Sequence, residues 1–395
     1  MTAHRVDPTL LNDLRKFGAF DVGACFNCGN CTAVCQHSDE SASFPRRLIR
    51  YGQLGMRQRL LAAKEAWLCW NCRECSDTCP RQARPSEYLE AVRRYTIASL
   101  DPTGVARLLY SSSLFLAVFS AILALLFAAV LLGGADAPPA HVLDLFGFIP
   151  FELIHDLGIA VMVLVALAAG ITAGRLVRHL GGATELRGAE EGTRRPADVL
   201  VGLLLRAVGA VLGEMAGQRR FRTCEVPAGQ PVYLRPWFVH YAIMWGFIGL
   251  GLATAFDFLF KTPGELVPLW YPSRLLGTVA GLSMMYGTTV TGIRWLRPLD
   301  SSRSRPLASD WLFLGLLFLV GLTGFALEAT VYLPQGGALG YGLFLVHVVL
   351  AMELLVILPF TKFAHAVYRP LVLGIYRFRM ASLQDPTAAE TSCAE

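Results

Sequence analysis

The sequence predicts an all-α protein in two parts. A polar helical domain occupies residues 1–105, a bundle of six transmembrane helices occupies 106–370, and a short tail follows at 371–395. Three observations predict this. The 395 residues are 54% hydrophobic and only 16% charged, whereas an ordinary soluble chain is nearer a quarter charged. The apolar residues are unevenly placed, with most long uncharged runs between 106 and 368. In the polar part, Leu48, Tyr51, Leu54, Leu60 and Leu61 recur at helical spacing, so Phe44 to Trp67 reads as helix and Ser86 to Leu100 continues likewise.

A bilayer crossing needs roughly 20 apolar residues. Spans are expected near 108–132, 152–177, 236–260, 273–296, 307–332 and 340–366. A seventh apolar stretch, 199–213, is short and holds Arg206 at its centre, with Arg194 and Arg195 before it and Arg219, Arg220 and Arg222 after it. It reads as an amphipathic helix lying along the membrane surface. Basic residues set the orientation. The segment 178–235 carries Arg178, Arg187 and Arg235 besides those arginines, 297–305 adds Arg297, Arg303 and Arg305, and the tail adds Arg369, Arg377 and Arg379. The alternate loops are nearly bare, with Lys261 alone across 133–151, 261–272 and 333–339. Both termini are therefore expected in the cytoplasm of a prokaryote, with the chain in its inner membrane. The net charge of +5 follows from this topology and needs no nucleic acid. Met1 to Leu14 carries Arg5, Asp7 and Asp13 and has no apolar core, which argues against a signal peptide.

Eight of the ten cysteines form two copies of one pattern, Cys25-x-x-Cys28-x-x-Cys31-x-x-x-Cys35 and Cys69-x-x-Cys72-x-x-Cys75-x-x-x-Cys79-Pro80. In a reducing compartment such thiols bind metal. Three cysteines at this spacing wrap one corner of an iron–sulfur cubane, while the fourth reaches the other cluster. Cys25, Cys28, Cys31 and Cys79 are then expected to hold one [4Fe–4S] cluster, and Cys69, Cys72, Cys75 and Cys35 the second. Four thiolates also suit structural zinc, but zinc sites rarely repeat a triplet plus a fourth. Gln36 stands where the proline after the first motif is usual. Cys224 and Cys393 are isolated and read as free thiols.

Ionisable residues inside a bilayer default to functional readings. His347 and His365 are 18 residues apart. On one continuous helix that is five turns, so both would face one way, roughly 27 Å apart. Two haems stacked across a membrane require such a pair. His240 starts the third span at the depth of His365, and His155 starts the second at the depth of His347. The expected pairings are His240–His365 for an inner haem b and His155–His347 for an outer one. Helix-end histidines reaching the interface are the plain alternative. His179 lies at the wrong depth for His347, and His4, His37 and His141 read as surface residues. Gly246, Gly249 and Gly251 would let a porphyrin approach the third span. Lys362 and Arg274 are candidates for haem propionates, or else anchors at the interface. Asp257, Glu328 and Glu353 are candidate proton carriers for a quinone, with neutral packing as the alternative.

The first hundred residues resemble the small iron–sulfur subunit of heterodisulfide reductases, including the Phe44-Pro45-Arg46 and Trp67-Leu68-Cys69 contexts. From about residue 150 onward the chain is similar to the cytochrome b subunit of that enzyme and to the gamma subunit of membrane nitrate reductase. Matching positions are His240, His347 and His365; where the nitrate reductase pattern has a further ligand, this chain has Leu250. The order of fusion resembles that of the membrane subunit in quinone-interacting membrane-bound oxidoreductase complexes. That resemblance implies two soluble flavin- and cluster-bearing partner subunits and electron transfer between the quinone pool and adenylylsulfate reductase. Two rival expectations stand beside it. One is a heterodisulfide-reductase-like or sulfite-reduction-linked membrane complex, and the other is a haem-free iron–sulfur membrane anchor.

Overall fold

The computed structural model describes residues 5–38, 43–137, 143–181, 197–224, 229–260, 267–297, 306–331 and 337–383. His4, His141, Cys393, Lys261, Arg187, Arg194, Arg195, Arg303 and Arg305 lie outside them. All regular structure among the described residues is helical. The N-terminal domain holds α1 (Leu10–Lys16), α2 (Asn30–Ala33), α3 (Arg46–Gln53), α4 (Arg57–Leu61), α5 (Glu65–Leu68), α6 (Glu74–Asp77) and α7 (Pro85–Leu100). The single helix expected from Phe44 to Trp67 is instead α3, α4 and α5. The first break is Gly55, at φ +67°, where a Cβ would collide with the Asp7 backbone. That close approach lets the Asp7 amide donate to the Gly55 carbonyl at 2.8 Å. α7 begins on Pro85, whose missing N–H matters little in a first helical turn. It runs through the core formed by Leu10, Leu14, Phe17, Leu48, Ile49 and Tyr95.

The remainder comprises α8 (Val105–Ser111), α9 (Ser113–Gly133), α10 (Leu145–Phe148), α11 (Phe151–Gly181), α12 (Ala197–Gly217), α13 (Arg219–Cys224), α14 (Pro236–Phe260), α15 (Pro272–Leu296), α16 (Ala308–Val331), α17 (Gly337–Ile357) and α18 (His365–Leu383). Five of these, α9, α11, α14, α16 and α17, are long and apolar enough to cross a membrane. The expected span at 273–296 is helical as α15, but its serines and threonines make it less apolar. The span expected from 108 starts at Ser113, because Ser112 caps α9 by accepting from the Phe115 amide at 3.1 Å. α8 packs into the N-terminal core through Ala106 and Tyr110.

Two expectations are corrected here. Gly246 and Gly249 face α15, with Ala280 and Met284 so close that any side chain would intrude. These glycines serve helix–helix approach, as small residues do within membranes, and Gly251 meets nothing within 4 Å. His347 and His365 also do not share a helix. α17 ends at Ile357, two 3₁₀ turns cover Leu358–Phe360 and Lys362–Ala364, and Thr361 between them is extended. Pro359 lacks the amide hydrogen that would continue the ladder. His365 instead opens α18.

The two parts share one core. Leu176 and Leu180 of α11 and Tyr368 and Val372 of α18 join the N-terminal cluster of apolar side chains. Trp67 and Tyr368 meet edge to face at 5.8 Å. Arg94 of α7 reaches Asp310 of α16 at 2.6 Å, both buried. The surface helix expected at 199–213 is α12, longer than expected. It packs along α18 and leaves Val201, Leu204, Leu205, Val208 and Leu212 exposed.

Candidate metal centres

The two cysteine loops are built alike. Asn27 and Gly29 in the first, and Asn71 and Arg73 in the second, have positive φ at equivalent positions, and each loop then enters a one-turn helix, α2 or α6. Left-handed residues turn the backbone sharply between the cysteines. The second cysteine of each loop, Cys28 or Cys72, is exposed, and the third, Cys31 or Cys75, is buried. The Asn30 side-chain amide donates to the Thr78 carbonyl at 2.6 Å, which draws Cys79 toward the first loop. Burial, and then the thiols of Cys25, Cys28 and Cys79, push Cys31 up to about 11. Burial likewise pushes Cys35 up to about 11, with Cys69 and Cys72 as its thiol neighbours. A cavity of about 190 Å³ is lined by Cys35, Cys69, Cys72 and Cys75 together with Trp70 and Asn71. Among the described residues no three His, Cys, Asp or Glu side chains converge as one metal ion would require. The cavity lined by the second set of thiols has the room a cluster needs.

The second loop touches α7, α13, α14 and α18. Arg93 donates to the carbonyls of Ala66 at 2.6 Å and Cys69 at 2.7 Å. Arg369 donates to those of Leu68 and Cys69, both at 3.3 Å, and its guanidinium lies 3.3 Å from the centre of the Trp70 ring. Burial lowers Arg369 to about 9, so it stays a cation at neutral pH. Trp70 stacks on Phe221 at 5.4 Å and meets the edge of His240 at 6.4 Å. Sequence reasoning missed Trp70, Arg93 and Arg369, because their partners are distant in the chain.

His240 and His365 face one another with ring centroids 6.2 Å apart. At a metal–nitrogen distance near 2 Å, two imidazoles on opposite sides of one iron have centroids roughly 6 Å apart. His365 Nδ1 lies 2.6 Å from the Lys362 carbonyl. A carbonyl only accepts, so Nδ1 holds the proton and Nε2 keeps its lone pair. His240 Nδ1 lies 3.0 Å from the amide of Gln218, whose Oε1 is buried without a partner when Nε2 faces the ring. Exchanging the two ends of the amide satisfies Oε1 and makes His240 Nδ1 the donor, in place of the weak contact of Nε2 with Met244 Sδ at 3.6 Å. Both Nε2 atoms are then free for a metal, with the outer-shell hydrogen bond that ligating histidines ordinarily make. Nearby, Trp70 Nε1 and Thr361 Oγ1 are buried without partners. Gln218 had no signal in the sequence, since no spacing links it to His240.

The other two histidines are not brought into ring contact. His347 Nδ1 lies 3.0 Å from Thr323 Oγ1, whose own proton goes to the Leu319 carbonyl at 2.7 Å. His347 thus donates from Nδ1, and Gly324 leaves room for its ring. His155 stacks on Phe258 at 5.0 Å and on Phe151 at 5.8 Å, with its Nδ1 3.3 Å from Asp156. Asp257 accepts a short hydrogen bond from Ser273, and Glu353 accepts one from Ser120. Arg274 and Glu328, expected in separate roles, form an ion pair at 3.1 Å. Lys362 lies 3.8 Å from Glu90 of the N-terminal domain. His37, expected on the surface, is half-buried and lines a cavity of about 240 Å³ with Arg220 and Tyr376; burial first, then Arg220 and Arg369, holds it down to about 4.

Loops, cavity and thiol spacing define an iron–sulfur protein, and residues 21–83 match the 4Fe-4S dicluster domain. The chain is similar to a heterodisulfide reductase subunit-like protein of Archaeoglobus profundus, at 31% identity over 101 residues, 24% of this chain and 54% of the relative. It is also similar to an iron–sulfur subunit of the CoB–CoM heterodisulfide reductase of Methanopyrus kandleri, at 32% over 72 residues, 18% and 38% of the two chains. A subunit of the H2:CoB–CoM heterodisulfide, ferredoxin reductase of Methanothermobacter thermautotrophicus is 24% identical over 88 residues, 22% and 48%. The chain spans about half or less of the length of these relatives. No solved structure matches it.

Proposed function

We propose that this chain is a membrane-embedded electron-transfer subunit linking a soluble redox partner to a quinone. The observation that carries the reading is the facing pair His240–His365 set against Trp70 of the second cysteine loop. Cys25, Cys28, Cys31 and Cys79 hold one [4Fe–4S] cluster, and Cys69, Cys72, Cys75 and Cys35 hold the other. His240 and His365 hold an inner haem b, whose fit is supported by the free Nε2 atoms and the unpartnered buried groups around them. His347 holds an outer haem b, with His155 as candidate second ligand once its ring leaves Phe258. Bound haem supplies one-electron chemistry that needs no proton. Lys362 offers a cation near the inner pair, and Arg274 offers one near the outer end through its link to Glu328. Asp257, Glu328 and Glu353 are the groups able to hold a proton for a quinone.

α15 is the sixth crossing, because it lies along α14 and its Trp295 meets Trp311 at the start of α16. With six crossings both termini share the cytoplasmic side of the membrane. The relatives are named as subunits of heterodisulfide reductases, which supports soluble partner subunits here. Adenylylsulfate reductase is the electron partner that the fusion order favours, and a heterodisulfide-reductase-like or sulfite-reduction-linked complex is the rival. A reduced-minus-oxidised spectrum with iron and haem quantitation tests the reading. The expected result is about eight non-haem irons and two haems, with His240→Ala and His365→Ala each removing one haem and His347→Ala the other. Retention of that second haem in His155→Ala would refute the outer pairing. Eight irons without any haem b band would leave only an iron–sulfur membrane anchor.

A further inference from the structure

We infer that Arg93 and Arg369 make the cluster held by Cys69, Cys72, Cys75 and Cys35 the more easily reduced of the two, so that an electron on this domain rests beside the His240–His365 pair. The inference builds on the cluster assignment above. Because the two loops are repeats, equivalent atoms can be compared. The carbonyl of Cys25 accepts from the neutral amide of Gln53 at 2.9 Å. The equivalent carbonyl of Cys69 accepts from two guanidiniums, Arg93 at 2.7 Å and Arg369 at 3.3 Å. Among the described residues, neither arginine has a carboxylate within ion-pair distance. The carboxylate that bears on Arg369, Glu214, is shared with Arg220 at 3.5 Å; a buried guanidinium without a full counter-charge is costly, and Arg369 is only 7% exposed. A cluster bound by four thiolates is the anion that would compensate it.

The other charges nearby largely cancel. Glu90 is matched by Arg94 at 3.2 Å and Lys362 at 3.8 Å, and Arg94 also holds Asp310. Glu65 is matched by Arg47, and Arg73 and Glu74 adjoin in the loop itself. The first loop has Arg46 beside Gly29, partly exposed as Arg93 is, and the second adds the buried Arg369. Reduction adds one electron to a cluster, and a fixed cation in a low-dielectric surround lowers the energy of that added charge. The aromatic residues point the same way. Phe26 is 60% exposed, whereas the equivalent Trp70 is 8% exposed and touches His240.

The experiment is a redox titration of the purified full chain followed by electron paramagnetic resonance, with iron counted in every sample. Two one-electron transitions are expected. Arg93→Gln should lower only the higher one, by about tenfold in reduced-to-oxidised ratio at fixed potential, or about 59 mV. Arg93→Lys should keep the wild-type value. Arg369→Gln should lower the same transition and also the haem absorbance midpoint, and Gln53→Leu should affect only the lower transition. If Arg369→Gln does not accumulate, the Arg93 pair carries the same comparison. The inference falls if the arginine variants keep eight non-haem irons and shift the lower transition or neither. A wild type without haem bands would sink the membrane half of the proposed function yet leave this comparison readable, and a wild type with fewer than two clusters would overturn the cluster assignment itself.

Discussion

Gln218 sits at φ +46°, where the chain turns from α12 into α13, and its fully buried amide meets His240. Losing an outer-shell partner of a metal-bound histidine typically costs 10–100-fold in affinity. On the proposed haem assignment, Gln218→Leu should weaken haem binding at this pair by about that factor, measured by haem titration into the stripped protein, while non-haem iron stays unchanged. Tyr88 is 1% exposed and donates to the Leu48 carbonyl at 2.8 Å. Tyr88→Phe should cost about 1 kcal/mol of stability by denaturant unfolding, again without loss of iron. The cysteines were legible in the sequence because their spacing is local. Gln218, Thr323, Trp70, Arg93 and Arg369 were not, because their roles exist only across long chain separations. Arg369 and Cys69 are 300 residues apart.

At the scale of elements, α14 and α15 approach through glycine. A Cβ on Gly246 would press on the Ala280 carbonyl and the Met284 amide, which are backbone atoms and cannot turn aside. Gly246→Ala should therefore separate the helices and destabilise the bundle by about 1–3 kcal/mol. Gly251→Ala, further along the same helix and facing open space, should be neutral or stabilise slightly, as alanine generally does in a helix. Thermal unfolding in detergent, followed by circular dichroism, compares the two. Long apolar runs made the membrane helices readable. Their interruptions were less so: the break after Ile357 needs Pro359 and Thr361 together, and the breaks inside 44–67 depend on Asp7 reaching Gly55.

Across the whole molecule, composition alone separated a polar domain from an apolar one. It did not reveal that one core runs through both, since Leu176, Leu180, Tyr368 and Val372 look like ordinary helix residues. The Arg94–Asp310 pair pins the junction at 2.6 Å. Removing one member of a buried pair typically costs 3–5 kcal/mol, whereas replacing both by apolar residues is often neutral. Asp310→Ala should accordingly loosen the junction by about that amount, seen as faster hydrogen exchange in α7. Arg94→Met with Asp310→Leu should restore protection. Should the double variant exchange as fast as the single one, the pair is not what fastens the halves.

The break between α17 and α18 has a mechanical consequence. His240 lies on α14, a helix apolar and long enough to cross a membrane, but His365 belongs to a helix whose Tyr368 is packed on Trp67 of the N-terminal domain. The two rings thus belong to helices with different attachments, although Trp70 of the second cysteine loop reaches His240 as well. A partner that tilts the N-terminal domain would therefore act on the two rings through different contacts, Trp67 and Tyr368 for His365 and Trp70 for His240.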